Sequence, residues 1–427
     1  MKVIRIILLC IVVIFQCRHE IVAQDTLKIT IEQAEKQFLE KNLQLLAERC
    51  HIDIADAAIV QAKLLNNPAI GVGEVNFWRS NAADELDVSP TPFGNRTVFS
   101  AELEQIVRTA GKRRKLVNLE KVSKEIAIQE FEALLLGLKT ELRSILYETS
   151  YLQSYLKIIQ VQQESVTNLV EIYKNQTTAG NIAKSELIRL QSSLIELETE
   201  ANEIRTELNR QYKELKILLN VAPQTAISIL PAVISAKNPD EILLVDLLET
   251  AKNSRPEFLL SDLNTQYNEK LLVYEKSLRS PDVGLSLNYD RYGGVWKNFV
   301  GIGVSVDIPA FNRNQGNIKM AKTSIEQANY NAEYQKSTIL QEITEIYYNY
   351  EMNYRFYQKI TDNDFSEDLE SMLKVYSQNL LNRNINMLEY IDFMDAYRAT
   401  KQAILTAKKN LDTSFAELQC SINNKIE

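Results

Sequence analysis

Histidine is nearly missing from this 427-residue chain: His19 and His51 are its whole complement. That excludes catalysis by a histidine cluster and metal sites built from several imidazoles. Cysteine is scarce too, with Cys10, Cys17, Cys50 and Cys420. The sequence has no Cys/His metal cluster, no Gly-rich phosphate loop and no nucleophile elbow. No catalytic residue, metal site or cofactor is therefore expected. Glycine (12) and proline (9) are few, so helical segments can run long without interruption. Beyond residue 23 no run of 18 apolar residues occurs, so no transmembrane helix is expected.

What is present is a folded chain, with 45% apolar and 24% charged residues. Lys2 and Arg5 open it, Ile6 to Phe15 is an apolar core, and Ile21-Val22-Ala23 offers a small residue for cleavage. Residues 1–23 thus read as a secretion signal. About ten apolar residues are too few for an uncleaved anchor. Losing Lys2, Arg5, Arg18 and Glu20 takes the formal charge from −8 to −10. An acidic chain is a poor nucleic-acid binder, and none is expected as a partner. Cys50 and Cys420 remain, and in an oxidising compartment they are able to pair if the fold brings them together.

The mature chain is written twice. Tyr173, Gly180-Asn181-Ile182 and Glu186 recur 203 residues later as Tyr376, Arg383-Asn384-Ile385 and Glu389. Asn67-Pro68 and Ser280-Pro281 each open a strand-like segment. Residues 24–222 form a first repeat: a helix, strands at about 69–77 and 97–107, and a helical hairpin over 112–220. Residues 241–427 form a second: a helix, strands at about 282–290 and 298–308, and a hairpin over 313–422. Pro223, Pro231 and Pro239 mark 223–240 as a linker with little regular structure.

The hairpins are written in heptads. Leu138, Leu142, Ile145, Thr149, Leu152, Leu156, Ile159, Gln163, Val166, Val170 and Tyr173 alternate spacings of four and three. Leu187, Leu190, Leu194, Leu197, Ala201, Ile204, Leu208, Gln211, Leu215 and Leu218 do the same. Such a 3.5-residue repeat makes helices wrap as a coiled coil. The second repeat has a tyrosine-rich seam, Ile343, Tyr347, Tyr350, Tyr354 and Tyr357, followed by Phe365, Leu369, Met372 and Tyr376. Eight residues separate Tyr357 from Phe365, so the register stutters there.

The strands alternate with period two. Val283, Leu285, Leu287 and Tyr289 interleave with Gly284, Ser286 and Asn288. Val300, Ile302, Val304, Val306 and Ile308 interleave with Gly301, Gly303, Ser305 and Asp307, and Phe99, Ala101 and Leu103 with Ser100, Glu102 and Glu104. A soluble sheet can carry this pattern; so can a membrane barrel, with apolar residues toward lipid and polar ones toward the lumen. The secretion signal and the lack of another core for these strands favour the barrel. Glu102, Glu104, Ser286, Asn288, Gly303 and Ser305 are then expected to face the lumen, and Leu285, Leu287, Ile302 and Val304 lipid.

The duplication, the Asp307-Ile308-Pro309-Ala310-Phe311 segment after the last strand, and the tips Gly180 to Lys184 and Arg383 to Ile385 together resemble the TolC family of outer-membrane efflux proteins. The tips look like its cobalt–zinc–cadmium resistance branch. The resemblance implies a mainly α fold with a small β part. Duplicated long helical hairpins would form a periplasmic α-barrel, and four strands per chain would join a trimeric membrane β-barrel. It also implies an export duct for metal ions or small toxic molecules, with a periplasmic adaptor and an inner-membrane pump as partners. The adaptor would dock on the tips Gly180, Asn181, Ile182, Arg383, Asn384 and Ile385. Acidic residues after the second tip would narrow the inner end: Asp392 and Asp395 in one register, Glu389 and Asp392 in another. The chain departs from the pattern where Arg383 replaces Gly180, a residue suited to tight helix reversal. The rival reading is a periplasmic coiled-coil adaptor or structural protein without a pore.

Overall fold

The computed structural model describes residues 26–73, 99–230, 236–291, 296, 298–361, 365–424 and 426, apart from the side chains of 365–368 and 370. The signal segment 1–23, residues 74–77 of the first expected strand, residues 97–98 of the second, and Pro231 lie outside the described residues.

Strand β1 (Thr26–Ile29) leads into α1 (Ile31–Lys41) and α2 (Leu43–Lys63). Then come β2 (Ala69–Gly73), β3 (Ser100–Val107), α3 (Lys112–Thr178), α4 (Lys184–Leu218) and β4 (Ala226–Ile229). The second repeat runs α5 (Leu244–Ser254), α6 (Pro256–Ser277), β5 (Val283–Asp290), β6 (Phe299–Val306), α7 (Gln315–Thr361), α8 (Phe365–Leu381) and α9 (Met387–Ser421). At 1.5 Å per residue, α3 is about 100 Å long.

Each helix expected before a strand pair is in fact two. Asn42 ends α1 with extended backbone and caps α2, its side chain accepting from the Leu45 amide. Arg255, also extended but without a side-chain cap, separates α5 from α6 before Pro256, whose missing N–H costs nothing in a first turn. These kinks grip the ends of the long helices. Asn42 Nδ2 donates to the Leu218 carbonyl at the end of α4, and Ser254 Oγ to the Ile422 carbonyl after α9.

The described part of the stretch 223–240, expected to have little regular structure, holds a strand and a 3₁₀ turn. Strand β4 pairs parallel with β1, Thr26 opposite Ala226 through Ile29 opposite Ile229, and Pro239–Glu241 is a 3₁₀ turn. Ile29, Ile227 and Ile229 are buried, seated on Leu142, Leu146 and Leu215 of the hairpin. Four-residue strands are too short for periodicity to reveal, and their pairing spans 200 positions.

In α4 eight of the ten expected seam positions, Leu190, Leu197, Ala201, Ile204, Leu208, Gln211, Leu215 and Leu218, are buried, and Leu187 and Leu194 are half-buried. In α3, Leu152, Ile159, Val166 and Tyr173 are buried as expected. The alternate positions are Tyr155, Gln162 and Leu169 rather than Leu156, Gln163 and Val170, which are half-buried. Helix α3 packs on α9 as well as α4, so its seam faces two partners. After the stutter, Met372 is exposed and Leu373 packs in its stead, between Leu369 and Tyr376.

The larger sheet is antiparallel, in the order β2-β3-β5-β6. Strand β3 of the first repeat pairs with β5 of the second, and β2 and β6 are left as open edges. Cys50 is exposed and Cys420 is buried; both are free. None of the described helices is long and apolar enough to cross a membrane.

Candidate functional site

Register sorts the sheet residues onto two faces, because directly opposed residues share a face. Glu102 opposes Asn288, which opposes Gly301; Glu104 opposes Ser286, which opposes Gly303; Gly284 opposes Ser305. All six expected lumen residues thus lie on one polar face, with carboxylates, hydroxyls, amides and glycines. The glycines leave room for their neighbours: a Cβ on Gly303 would collide with Ser286 Oγ, and one on Gly284 with Ser305 Oγ.

The opposite face carries Ile70, Leu103, Leu287 and Ile302 in one row, with Leu285 beside Val304 and Tyr289 beside Val300. No described residue covers it: Ile302 is 85% exposed, Ile70 76% and Val304 67%. A contiguous apolar sheet face of this size marks an interface with protein or lipid. Gln105 and Ile106 break the alternation at the helical end of β3. Gln105 Nε2 turns back to the Asn66 and Ile106 carbonyls.

At the far end the two hairpin turns lie side by side and line one cleft, with Asn181, Ile182 and Glu186 across from Arg383, Asn384 and Ile385. The 203-residue repeat holds hydrogen bond by hydrogen bond. The Gly180 amide donates to Thr177 and that of Asn181 to Gln176, while Arg383 donates to Leu380 and Asn384 to Asn379. Arg383 makes the reversal that Gly180 makes, with φ 59 against 76. Substituting arginine for glycine therefore leaves the turn type unchanged.

Beyond the second tip, the three candidate gate carboxylates have different surroundings. Glu389 is a capping-box residue: its side chain accepts from the Asn386 amide, and Asn386 Oδ1 accepts from its own. Asp395 is paired with Arg398 at 2.9 Å. Asp392 is exposed and forms no hydrogen bond or ion pair with a described residue. Of the three it is the carboxylate with no structural duty.

A link between hairpins that the sequence did not reveal joins this segment to the first repeat. Arg398 reaches Glu200 on α4 at 3.4 Å, and the Tyr155 hydroxyl on α3 donates to the same carboxylate. Burial is the main reason the Tyr155 phenol is raised above its usual range, and Glu200 adds to it. The spacing of Asp395 and Arg398 was a visible signal; Glu200, nearly 200 residues away, was not. Nearby, Gln162 Nε2 donates to the Met394 carbonyl, tying α3 to α9, and Gln162 Oε1 is buried without a partner. Met387 and Met394 are buried in this core, as packing residues. Among the described residues no group of three or more His, Cys, Asp or Glu is placed to hold a metal.

Four strands with open edges, an uncovered apolar face and duplicated hairpins of this length define the subunit fold of the TolC-type outer-membrane channels. The chain superposes on the CmeC outer membrane channel of Campylobacter jejuni with a TM-score of 0.72, covering 92% of this chain and 85% of that one at 14% identity. The outer membrane protein VceC of Vibrio cholerae gives 0.70, with 93% and 97% covered, also at 14% identity. In sequence it is similar to the cobalt-zinc-cadmium resistance protein CzcC of Cupriavidus metallidurans, 24% identical over 307 residues, covering 70% of this chain and 68% of that protein. No family model matches.

Proposed function

We propose that the chain is the outer-membrane channel component of a tripartite efflux system, a passive duct driven by an inner-membrane pump through a periplasmic adaptor. The observation that carries this reading is the four-stranded sheet with one uncovered apolar face and two open edges. Unpaired edge groups cannot persist in lipid, so such a sheet must close with other copies. A homotrimer would give twelve strands, an even-numbered barrel. Its polar face, with Glu102 and Glu104, would line the lumen. Leu285, Leu287, Ile302 and Val304 would meet outer-membrane lipid. The helices would continue the duct through the periplasm, with the paired tips as the adaptor-docking end and Asp392 repeated three times around the axis as a gate.

Similarity to a cobalt-zinc-cadmium resistance protein favours metal ions over larger drugs as cargo. No step here requires an enzyme's chemistry; energy would come from the pump. The test is fractionation followed by sizing in mild detergent. The protein should sit in the outer membrane, need detergent for release, and run as a stable trimer. A monodisperse monomer with full strand content would overturn the reading. Deleting the gene should raise sensitivity to divalent transition metals more than to drugs, and the reverse order would reassign the cargo.

A further inference from the structure

The chain is acidic overall, but the positive charge is concentrated where sheet meets helices. The eight residues flanking the helical end of each strand of the large sheet, 61–68, 108–115, 275–282 and 307–314, hold nine lysines and arginines against three carboxylates. Two of those carboxylates are engaged. Asp282 pairs with Lys112 at 2.7 Å and accepts from the Thr109 amide, and Glu275 accepts from Asn314. Arg108, Arg113, Arg114, Arg279 and Arg313 are all exposed, and none forms an ion pair with a described residue.

Their placement runs against local stability. Lys112, Arg113, Arg114 and Lys115 fill the first turn of α3, which has no acidic residue. Cations at a helix N-terminus oppose the helix dipole and the unpaired N–H groups there. Among the described residues, Lys112 is the one of these four with an ion-pair partner, Asp282. A local rule broken four times in succession, and compensated at only one of the four positions among the described residues, marks a functional surface. The collar also adjoins apolar groups that nothing covers: Ile308 is 81% and Phe311 98% exposed, in the segment that leads to Arg313. Basic side chains beside exposed aliphatic and aromatic ones, directly beyond a lipid-facing sheet, suit the boundary between hydrocarbon and headgroups.

From this placement we infer that the arginine collar binds the headgroups of anionic glycerophospholipids in the leaflet at the helical end of the barrel. This inference rests on the membrane-channel reading of the sheet. The phosphodiester supplies the missing counter-charge, the arginine forks match its oxygens, and Ile308 and Phe311 seat in the adjoining acyl region. The lipid then fixes how deep the barrel sits.

Native mass spectrometry of the full chain, released from neutral detergent with phosphatidylglycerol or phosphatidylcholine added, reads the preference directly. Wild type should retain phosphatidylglycerol over phosphatidylcholine. Each of Arg108→Gln, Arg113→Gln and Arg114→Gln should weaken that preference about fivefold, by the usual contribution of one basic residue near an anionic surface. The triple replacement by lysine should keep most of it, and Arg189→Gln, on exposed α4 surface far from the collar, should leave it unchanged. Equal retention of both lipids by wild type would overturn the collar. So would a triple glutamine variant that keeps its lipid preference but alters pore selectivity, since the arginines would then line the lumen. Insertion into vesicles is scored separately with alkaline extraction. Protein that never enters phosphatidylcholine or phosphatidylglycerol vesicles would sink the channel reading itself, whereas insertion without lipid preference would sink the collar alone.

Discussion

The guanidinium of Arg383 donates to the main-chain carbonyl of Asn181 at 3.1 Å, so the tip of the second hairpin is bonded to the tip of the first. The arginine that replaces glycine at this turn thus gains a contact glycine cannot make. It occupies left-handed backbone at a cost of roughly 1 kcal/mol. Arg383→Gly should relieve that strain and leave thermal stability equal or slightly higher, while releasing the tips from each other. Distances between spin labels on the two turns should then broaden relative to wild type. An unchanged distribution would mean that packing, rather than this hydrogen bond, joins the tips.

The tips also make a statement about partners. Cysteines introduced at Asn181 and Asn384, both exposed, should crosslink in cells to a periplasmic protein with its own helical hairpin. Crosslinks found exclusively at mid-helix positions such as Glu203 would contradict docking at the turns.

The two faces of the sheet should tolerate charge very differently. Ile302 and Ser305 lie three residues apart on one strand and on opposite faces. Arginine on a lipid face near the bilayer midplane costs about 2–4 kcal/mol, and on a lumen face little. Ile302→Arg should abolish assembly into the outer membrane. Ser305→Arg should assemble and change conductance. Equal tolerance would refute the assigned faces.

Asp412 on α9 supplies a pH prediction. It lies beside Tyr147 of α3, Tyr357 of α7 and Lys408, at a cavity of about 90 Å³ that also reaches Ile229 and Leu230. Burial raises its carboxyl to about 6, with Lys408 pulling the other way. A folded-state value above the unfolded one means the folded chain binds the extra proton. Its stabilising contribution is complete below about pH 4 and is lost as pH rises through 6. Asp412→Asn should therefore stabilise the protein at pH 7.5 by roughly 2 kcal/mol, with the gain shrinking toward pH 4.5. Thermal melts at both pH values check this. A gain that does not depend on pH would assign the effect to packing.

Much of this architecture was legible in the sequence, because it is carried by period. Heptads gave the long helices, and alternation gave the strands and their faces, since a one-residue error would have inverted every assignment. The repeat of Tyr173 at Tyr376 located both turns. What escaped notice depends on partners distant in sequence. The β1–β4 pair is two short strands made stable by burial of Ile29, Ile227 and Ile229 on the hairpin. The seam of α3 shifted to Tyr155, Gln162 and Leu169 because the helix serves two neighbours at once. At the candidate gate the sequence offered three carboxylates in two registers, with Asp392 common to both. The structure gave two of them other work, Glu389 as a cap and Asp395 as the partner of Arg398, both local pairs whose spacing is visible in the sequence, whereas the link of Arg398 to Glu200 needs the fold.

The measurement that tests the central claim most directly is single-channel recording of the purified chain in a planar bilayer, wild type beside Asp392→Asn. Wild type should show stepwise, cation-selective conductance blocked by polyvalent cations. The variant should show steps with reduced selectivity and weaker block. Membrane-inserted wild-type protein without conductance steps would contradict a channel, and wild-type selectivity and block in Asp392→Asn would leave that residue as ordinary surface charge.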